Sequence, residues 1–154
     1  MYSKEESKII RKEYWDKFKA WSGRKRIKKG KKSKWLMNET GIKQVKLKFH
    51  FDEDIALVAI EIDTRNLDKR FELWNKLESL KSRIEEEIPF PLTWDIEYKL
   101  SEGKTVSRIY TLINDVNIYN KECWKEVNDF FYQKMTSLED FFIHYRDHIK
   151  YNPN

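Results

Sequence analysis

The chain has 154 residues, a formal net charge of +5 and a single cysteine. That length fits one domain, 1–154, large enough to fold without a disulfide or metal staple. Forty per cent hydrophobic residues, fifteen per cent of the chain being aromatic, exclude wholesale disorder, and the longest apolar run, Ile55 to Ile60, is far short of the roughly 20 residues that span a bilayer.

Charge is concentrated in one place. The segment RKRIKKGKKSK holds Arg24, Lys25, Arg26, Lys28, Lys29, Lys31, Lys32 and Lys34 and no acid. Without those eight, 23 basic residues face 26 acidic ones, so the body of the protein is slightly acidic. Residues 1–8 carry charge where an export signal would carry its apolar stretch, so a cytoplasmic protein without a membrane partner is expected.

In chain order, Ser3-Lys4-Glu5-Glu6 is a capping-box pattern that opens a helix. Ile10, Tyr14, Phe18 and Trp21 follow on one helical face, and Ser22-Gly23 is expected to stop it, leaving 24–34 as a basic loop. A short strand is predicted at Lys34–Asn38, closed by a turn ending at Gly41. Val45, Leu47, Phe49 and Phe51 alternate with Lys46, Lys48 and His50, the period of a strand with one buried face. After the turn at Asp52-Glu53-Asp54, Ile55–Ile62 is apolar on both faces until Glu61, as a central strand would be.

Asn66 or Thr64 can cap a long helix whose apolar residues run from Leu67 to Ile88 at gaps of three and four, ended by Pro89 and Pro91. Trp94, Ile96, Tyr98 and Leu100 alternate with Asp95, Glu97 and Lys99 in another strand, and Ser101–Lys104 turns it into Val106–Leu112. Asn120 caps a final helical stretch reaching Ile149, with a break expected near Thr136-Ser137. The result is an α+β domain of order α-β-β-β-α-β-β-α: about five strands, mixed or antiparallel, flanked by three helices.

The segments MYSKEES, RKEYWDKF, TGIK, AIEI, GKTVSRIY and NKECW resemble a bacterial family defined by sequence, domain-of-unknown-function family 4268. The likeness runs from about Met1 to Ile149, and GKTVSRIY, Gly103 to Tyr110, is its most specific piece. The resemblance implies a bacterial or archaeal intracellular protein, a module that sometimes sits beside nuclease-like regions. It brings no settled activity. The basic stretch 24–34 and Cys123 depart from the family pattern.

The predicted order of elements matches a restriction-endonuclease-like core, and Glu61-Ile62-Asp63 falls where such nucleases keep part of their metal site. That chemistry needs a second acid across the hairpin, so that two carboxylates hold Mg²⁺. Opposite Glu61, near Val45, stand Lys43, Gln44 and Lys46. Asp52 and Asp54 lie at the turn, about 20 Å away at roughly 3.3 Å per residue. Glu61 and Asp63 are therefore the residues a nuclease would use, with a degenerate site as the expectation.

The basic loop, with Trp21 and Trp35 at its ends, has the composition that tracks a phosphate backbone while an aromatic ring stacks on a base. Arg108 can add an anion contact or pair with Asp95 or Glu97 on the neighbouring strand, and the pairing is favoured. His144 and His148, spaced i, i+4 with Asp147 beside them, have a spacing zinc can use but lack a third ligand. Cys123 opens a helix without a histidine in its motif, so it reads as an incidental thiol. Four glycines leave no phosphate-binding fingerprint. No cofactor or metal is expected. The sequence thus predicts a non-catalytic domain binding nucleic acid through Arg24, Lys25, Arg26, Lys28, Lys29, Lys31, Lys32, Lys34 and Arg108. The rival reading, raised by six Trp, eight Tyr and nine Phe, is a protein-interaction or self-association module, giving a homo-oligomer or a protein partner.

Overall fold

Helix α1 begins where its cap is: in the computed structural model, which describes residues 2–151, Ser3 Oγ accepts from Glu6 N and the Glu6 carboxylate accepts from Ser3 N. Met1 and residues 152–154 lie outside the described residues. The helix spans Lys4–Lys28 and passes straight through Ser22-Gly23, both buried. Its stop is Gly30, with φ +78°. Gly30 N donates to Ile27 O and Lys31 N to Arg26 O, the paired bonds of a Schellman cap, which needs a left-handed residue just past the helix. Half of the expected basic loop is therefore helix.

The expected strand at Lys34–Asn38 does not form. Leu47 N donates to Met37 O, but Met37 has φ +47°, outside the extended region, and no ladder grows from that bond. The sheet has four antiparallel strands, β1 Val45–Phe51, β2 Ile55–Ile62, β3 Thr93–Lys99 and β4 Thr105–Asn114, in the order β1-β2-β4-β3. Asp52 closes the first hairpin, its Oδ1 accepting from Asp54 N and Ile55 N. Gly103, at φ +89°, turns the second. β3 pairs Asp95 with Arg108 but Tyr98 with Val106. One extra residue in β3 makes a bulge, which breaks the alternation expected through Trp94, Ile96 and Tyr98.

The long helix expected up to Ile88 is two helices, α2 Leu67–Ser79 and α3 Lys81–Glu87. At the junction Ser79 Oγ donates to Lys76 O at 2.6 Å, the back-bonding by which serine bends a helix. Buried Leu80, at φ −95°, ψ 4°, leaves the helical track. Ile88 is extended ahead of Pro89, as a residue before proline must be. A single 3₁₀ turn, Lys121–Cys123, capped by Asn120, leads into α4, Trp124–Lys150. No break occurs at Thr136-Ser137, because Phe131, Met135, Leu138 and Phe142 keep one buried stripe through it. Among the described residues the order is α-β-β-α-α-β-β-α: an α+β chain with four strands in place of five and four helices in place of three.

Two compact units alternate along the chain. The first holds Met1–Trp35, Phe49–Leu57 and Leu112–Gln133. Its core is aromatic: fully buried Phe131 meets the rings of Tyr14, Phe18, Phe49 and Phe51, contacts worth about 0.5–1.5 kcal/mol each beyond area burial. Tyr14 OH donates to Asn128 Oδ1 at 2.7 Å, which satisfies the one polar atom that side chain buries, and burial pushes its hydroxyl pKa far up.

The second unit holds Leu36–Lys48, Val58–Thr111 and Lys134–Asn154. Here Leu73, Leu77, Ile84, Ile60, Ile109 and Phe142 are buried, and Trp74 of α2 meets the edge of Trp94 on β3 at 5.5 Å. Arg70 of α2 donates to Ser107 of β4. Strand alternation then sends the neighbouring Arg108 to the opposite side of the sheet from α2.

Candidate nucleic-acid interface

The basic segment is built around one of its own cations. Arg26 is 3% exposed. Its Nε donates to Lys32 O at 2.8 Å and its Nη2 to Lys34 O at 3.1 Å. The guanidinium lies 4.1 Å from the centre of the Trp35 ring, and Trp35 Nε1 donates to buried Ser22 Oγ. The returning chain passes beside Gly23, where a Cβ would make ordinary contact with Ser33 at 3.5 Å. The stretch 29–35 is thus tied back onto the last turns of α1.

Arg26 is therefore a strut, and the expectation that it contacts a ligand is corrected. Lys31 is half-buried. The other six cations, Arg24, Lys25, Lys28, Lys29, Lys32 and Lys34, are exposed. Lys25 Nζ lies over the rings of Trp21 and Tyr132 at 5.1 and 5.0 Å. Arg24, Lys28, Lys29, Lys32 and Lys34 have no acidic partner among the described residues. Several sit at the C-terminus of α1, where the helix dipole favours cations. The two tryptophans are half-buried: the Arg26 guanidinium lies on the Trp35 ring, and Trp21 packs on Phe18 and Tyr132.

Glu61 and Asp63 do not make a carboxylate pair. Glu61, on β2, is fully buried, and its Oε2 accepts from Arg108 Nε at 2.9 Å and from Arg108 Nη2. Lys48 Nζ is 3.8 Å from its other oxygen. Asp63 Oδ2 takes Lys46 Nζ and Lys104 Nζ, each at 2.7 Å. Burial alone would raise the Asp63 pKa, but the hydrogen bonds from Lys104 and Lys46 outweigh it and hold the carboxyl below its ordinary value. Among the described residues no group of three or more His, Cys, Asp or Glu is placed to hold a metal ion. Each of the two carboxylates is already paired with cations, Glu61 with Arg108 and Asp63 with Lys46 and Lys104.

Arg108 thus leaves the expected acids. Asp95 is its backbone partner on β3, yet its side chain reaches Glu61 on the other neighbouring strand, with the Tyr98 ring 4.1 Å from its guanidinium carbon. Buried in this way, it offers no contact to an external anion. His144 and His148 are exposed and bound elsewhere: His148 Nε2 is 3.2 Å from Ser79 Oγ, and His144 meets the edge of the Tyr145 ring. Cys123 Sγ donates to the carbonyls of Asn117 and Asn120, a structural thiol.

Sequence reasoning missed Lys46, Lys48 and Lys104 as the partners of the two acids. The first two were readable, since their alternation on β1 puts them on the face of the hairpin that carries Glu61. Lys104 comes from a distant turn and gave no signal.

None of the described residues forms a helix long and apolar enough to cross a membrane. No curated protein and no solved structure matches this chain. A family model described as a domain of unknown function, DUF4268, matches residues 10–146. That match covers most of the sequence, and the chain belongs to the DUF4268 family.

Proposed function

We propose that this chain is a non-catalytic module that contacts nucleic acid through the phosphate backbone, using the basic end of α1 and the loop after it. The observation that carries the reading is the set of five exposed cations, Arg24, Lys28, Lys29, Lys32 and Lys34, without an acid to neutralise any of them among the described residues. They stand on a segment that Arg26 and Trp35 hold in place. Fixing those cations beforehand lowers the ordering entropy that a free lysine-rich tail would lose on binding.

Because Trp21 and Trp35 are engaged in packing, base stacking is not needed for this contact. Contact is by charge, without sequence readout, and a duplex, with its higher charge density, is the better ligand.

Fluorescence anisotropy with a labelled duplex and the corresponding single strand, across a salt series, tests this. Affinity should fall steeply with salt, with the duplex bound at least as tightly. Replacing Lys28, Lys29, Lys32 and Lys34 with Gln should reduce the slope of log K against log salt by about 3–4 for the duplex, at about 0.9 for each phosphate left unneutralised. No binding at low salt, or an unchanged slope in the fourfold variant, overturns the proposal.

A further inference from the structure

A second cationic feature lies apart from the basic segment. Between the start of β1, the end of β2, the first turns of α2 and the turn joining β3 to β4 is a cleft of about 970 Å³, within the size range of small-molecule sites. Its lining includes Lys43, Lys46, Arg65, Arg70 and Lys104 against the acids Asp63 and Glu102. Asp63 is committed to Lys46 and Lys104. Glu102 also acts on Lys104, so five cations against two acids leave an excess of three positive charges, which falls on Lys43, Arg65 and Arg70.

Arg70 is the informative residue. It is 3% exposed, yet it has no carboxylate partner among the described residues. Its Nη1 donates to Ile96 O and to Ser107 Oγ, while Nε and Nη2 make no hydrogen bond to any described residue. A buried guanidinium without a counter-ion is costly, and one bordering a cleft invites an anion. The N-terminus of α2 adds to this. Asn66 Oδ1 caps Lys69 N, so the amides of Leu67 and Asp68 have no intrahelical acceptor, and Leu67 lines the cleft.

We propose that this cleft binds a phosphate monoester, with Arg70 presenting two N–H groups to the dianion and Arg65 and Lys43 at the rim. Among the described residues no aromatic side chain lines the cleft, so recognition rests on the phosphate and not on a stacked base. Two sources share this chemistry: a free phosphorylated small molecule, or the terminal phosphate of an oligonucleotide.

The experiment is an NMR titration of the full chain with inorganic phosphate and then phenyl phosphate, following the amides of Leu67, Asp68 and Lys104. Saturable shifts there, not reproduced by chloride at equal ionic strength, are expected. Arg70→Lys, which keeps the charge and loses the fork, should weaken binding by about tenfold or more. Because that variant alters the core, Arg65→Gln and Lys43→Gln serve as exposed companions, each expected to weaken binding severalfold. Shifts that never saturate, shifts that chloride reproduces, or companions that bind like the parent overturn the proposal. A 5′-phosphorylated oligonucleotide compared with its 5′-hydroxyl twin, in the Lys28/Lys29/Lys32/Lys34→Gln background, separates the sources. A strong preference for the phosphorylated strand over phenyl phosphate assigns the site to nucleic-acid ends, and parity assigns it to small monoesters. That background should leave phosphate binding in the cleft intact, so the two proposals stand or fall separately.

Discussion

Arg108 and Glu61, 47 residues apart in the chain, share one carboxylate oxygen inside the sheet, with both Nε and Nη2 of the arginine donating to Oε2. The pair joins β4 to β2, the two central strands, and the Tyr98 ring stacks on the guanidinium. Among the described residues the other carboxylate oxygen, Oε1, makes no hydrogen bond and has only Lys48 at 3.8 Å.

That asymmetry sets the first prediction. Arg108→Met strands a fully buried carboxylate with a single distant lysine, and breaking a buried pair in this way costs about 3–5 kcal/mol. Replacing both partners, with Glu61→Leu beside Arg108→Met, removes the stranded charge and should recover most of the loss. Urea unfolding of the two single variants and the double variant gives the comparison. A double variant as unstable as Arg108→Met would show that the site stabilises through packing around the guanidinium and not through charge.

The Asp63 clamp makes stability depend on acid. With its pKa held below the ordinary 3.8, native Asp63 resists a proton that the unfolded chain accepts. The clamp's contribution is therefore complete above the unfolded value and is lost as pH falls through the native one, a window below about pH 4. Lys104 has the mirror sign: its pKa is raised, chiefly by the hydrogen bond to Asp63, so its share fades only in strong alkali. Thermal melts of the parent and Asp63→Asn between pH 6 and pH 2.5 should show a constant gap down to about pH 4 that narrows below it. A gap that stays constant throughout would rule the clamp out as a source of acid sensitivity.

What the sequence made legible was mostly local. The capping box at Ser3, the strands Val45–Phe51 and Ile55–Ile62, the stop before Pro89 and the turn at Gly103 each rest on residues close in the chain, and each is present in the structure. Errors came where a distant contact decides. Ser22-Gly23 reads as a helix stop until Trp35 supplies the donor and Ser33 the neighbour that keep both residues buried. The sequence points Arg108 to an acid on β3 because a hairpin names one neighbour of a strand; β2, the other neighbour, follows only from strand order. Arg70 and its cleft leave no trace in periodicity, since an α2 side chain is there joined to a β4 hydroxyl and a β3 carbonyl.

The glycines divide into positions that tolerate a side chain and positions that do not. Gly23 lies inside α1, where a Cβ would make ordinary contact with Ser33 at 3.5 Å. Gly23→Ala should raise stability by about 0.5–1 kcal/mol through helix propensity and a less flexible unfolded chain. Gly41 has φ +88°, and a Cβ there would press on Arg146 at 3.2–3.3 Å, while Arg146 Nη1 donates to Thr40 O. Gly41→Ala should therefore destabilise by about 1–2 kcal/mol. Chemical denaturation of the two variants distinguishes them by sign. Destabilisation by Gly23→Ala would mean that the chain after α1 packs more tightly on the helix than a 3.5 Å contact allows.

The basic segment offers a test of order that needs no ligand. Its lysines and arginines are trypsin sites, and a protease requires an extended, unpinned chain to cut. Arg26 holds the carbonyls of Lys32 and Lys34, and Trp35 covers Arg26 while bonding Ser22, so 29–35 should resist cleavage in spite of its exposed side chains. Trp35→Ala removes the ring and the donor together but leaves every charge in place. Limited trypsinolysis should then cut between Lys28 and Lys34 at least about tenfold faster than in the parent, which corresponds to about 1.4 kcal/mol lost from the closed state. Duplex affinity at low salt should fall as well, although net charge is unchanged, because the freed cations must be ordered again on binding. Equal cleavage rates would mean that the cations act as a flexible tail, and the salt slope would then be the whole of their contribution.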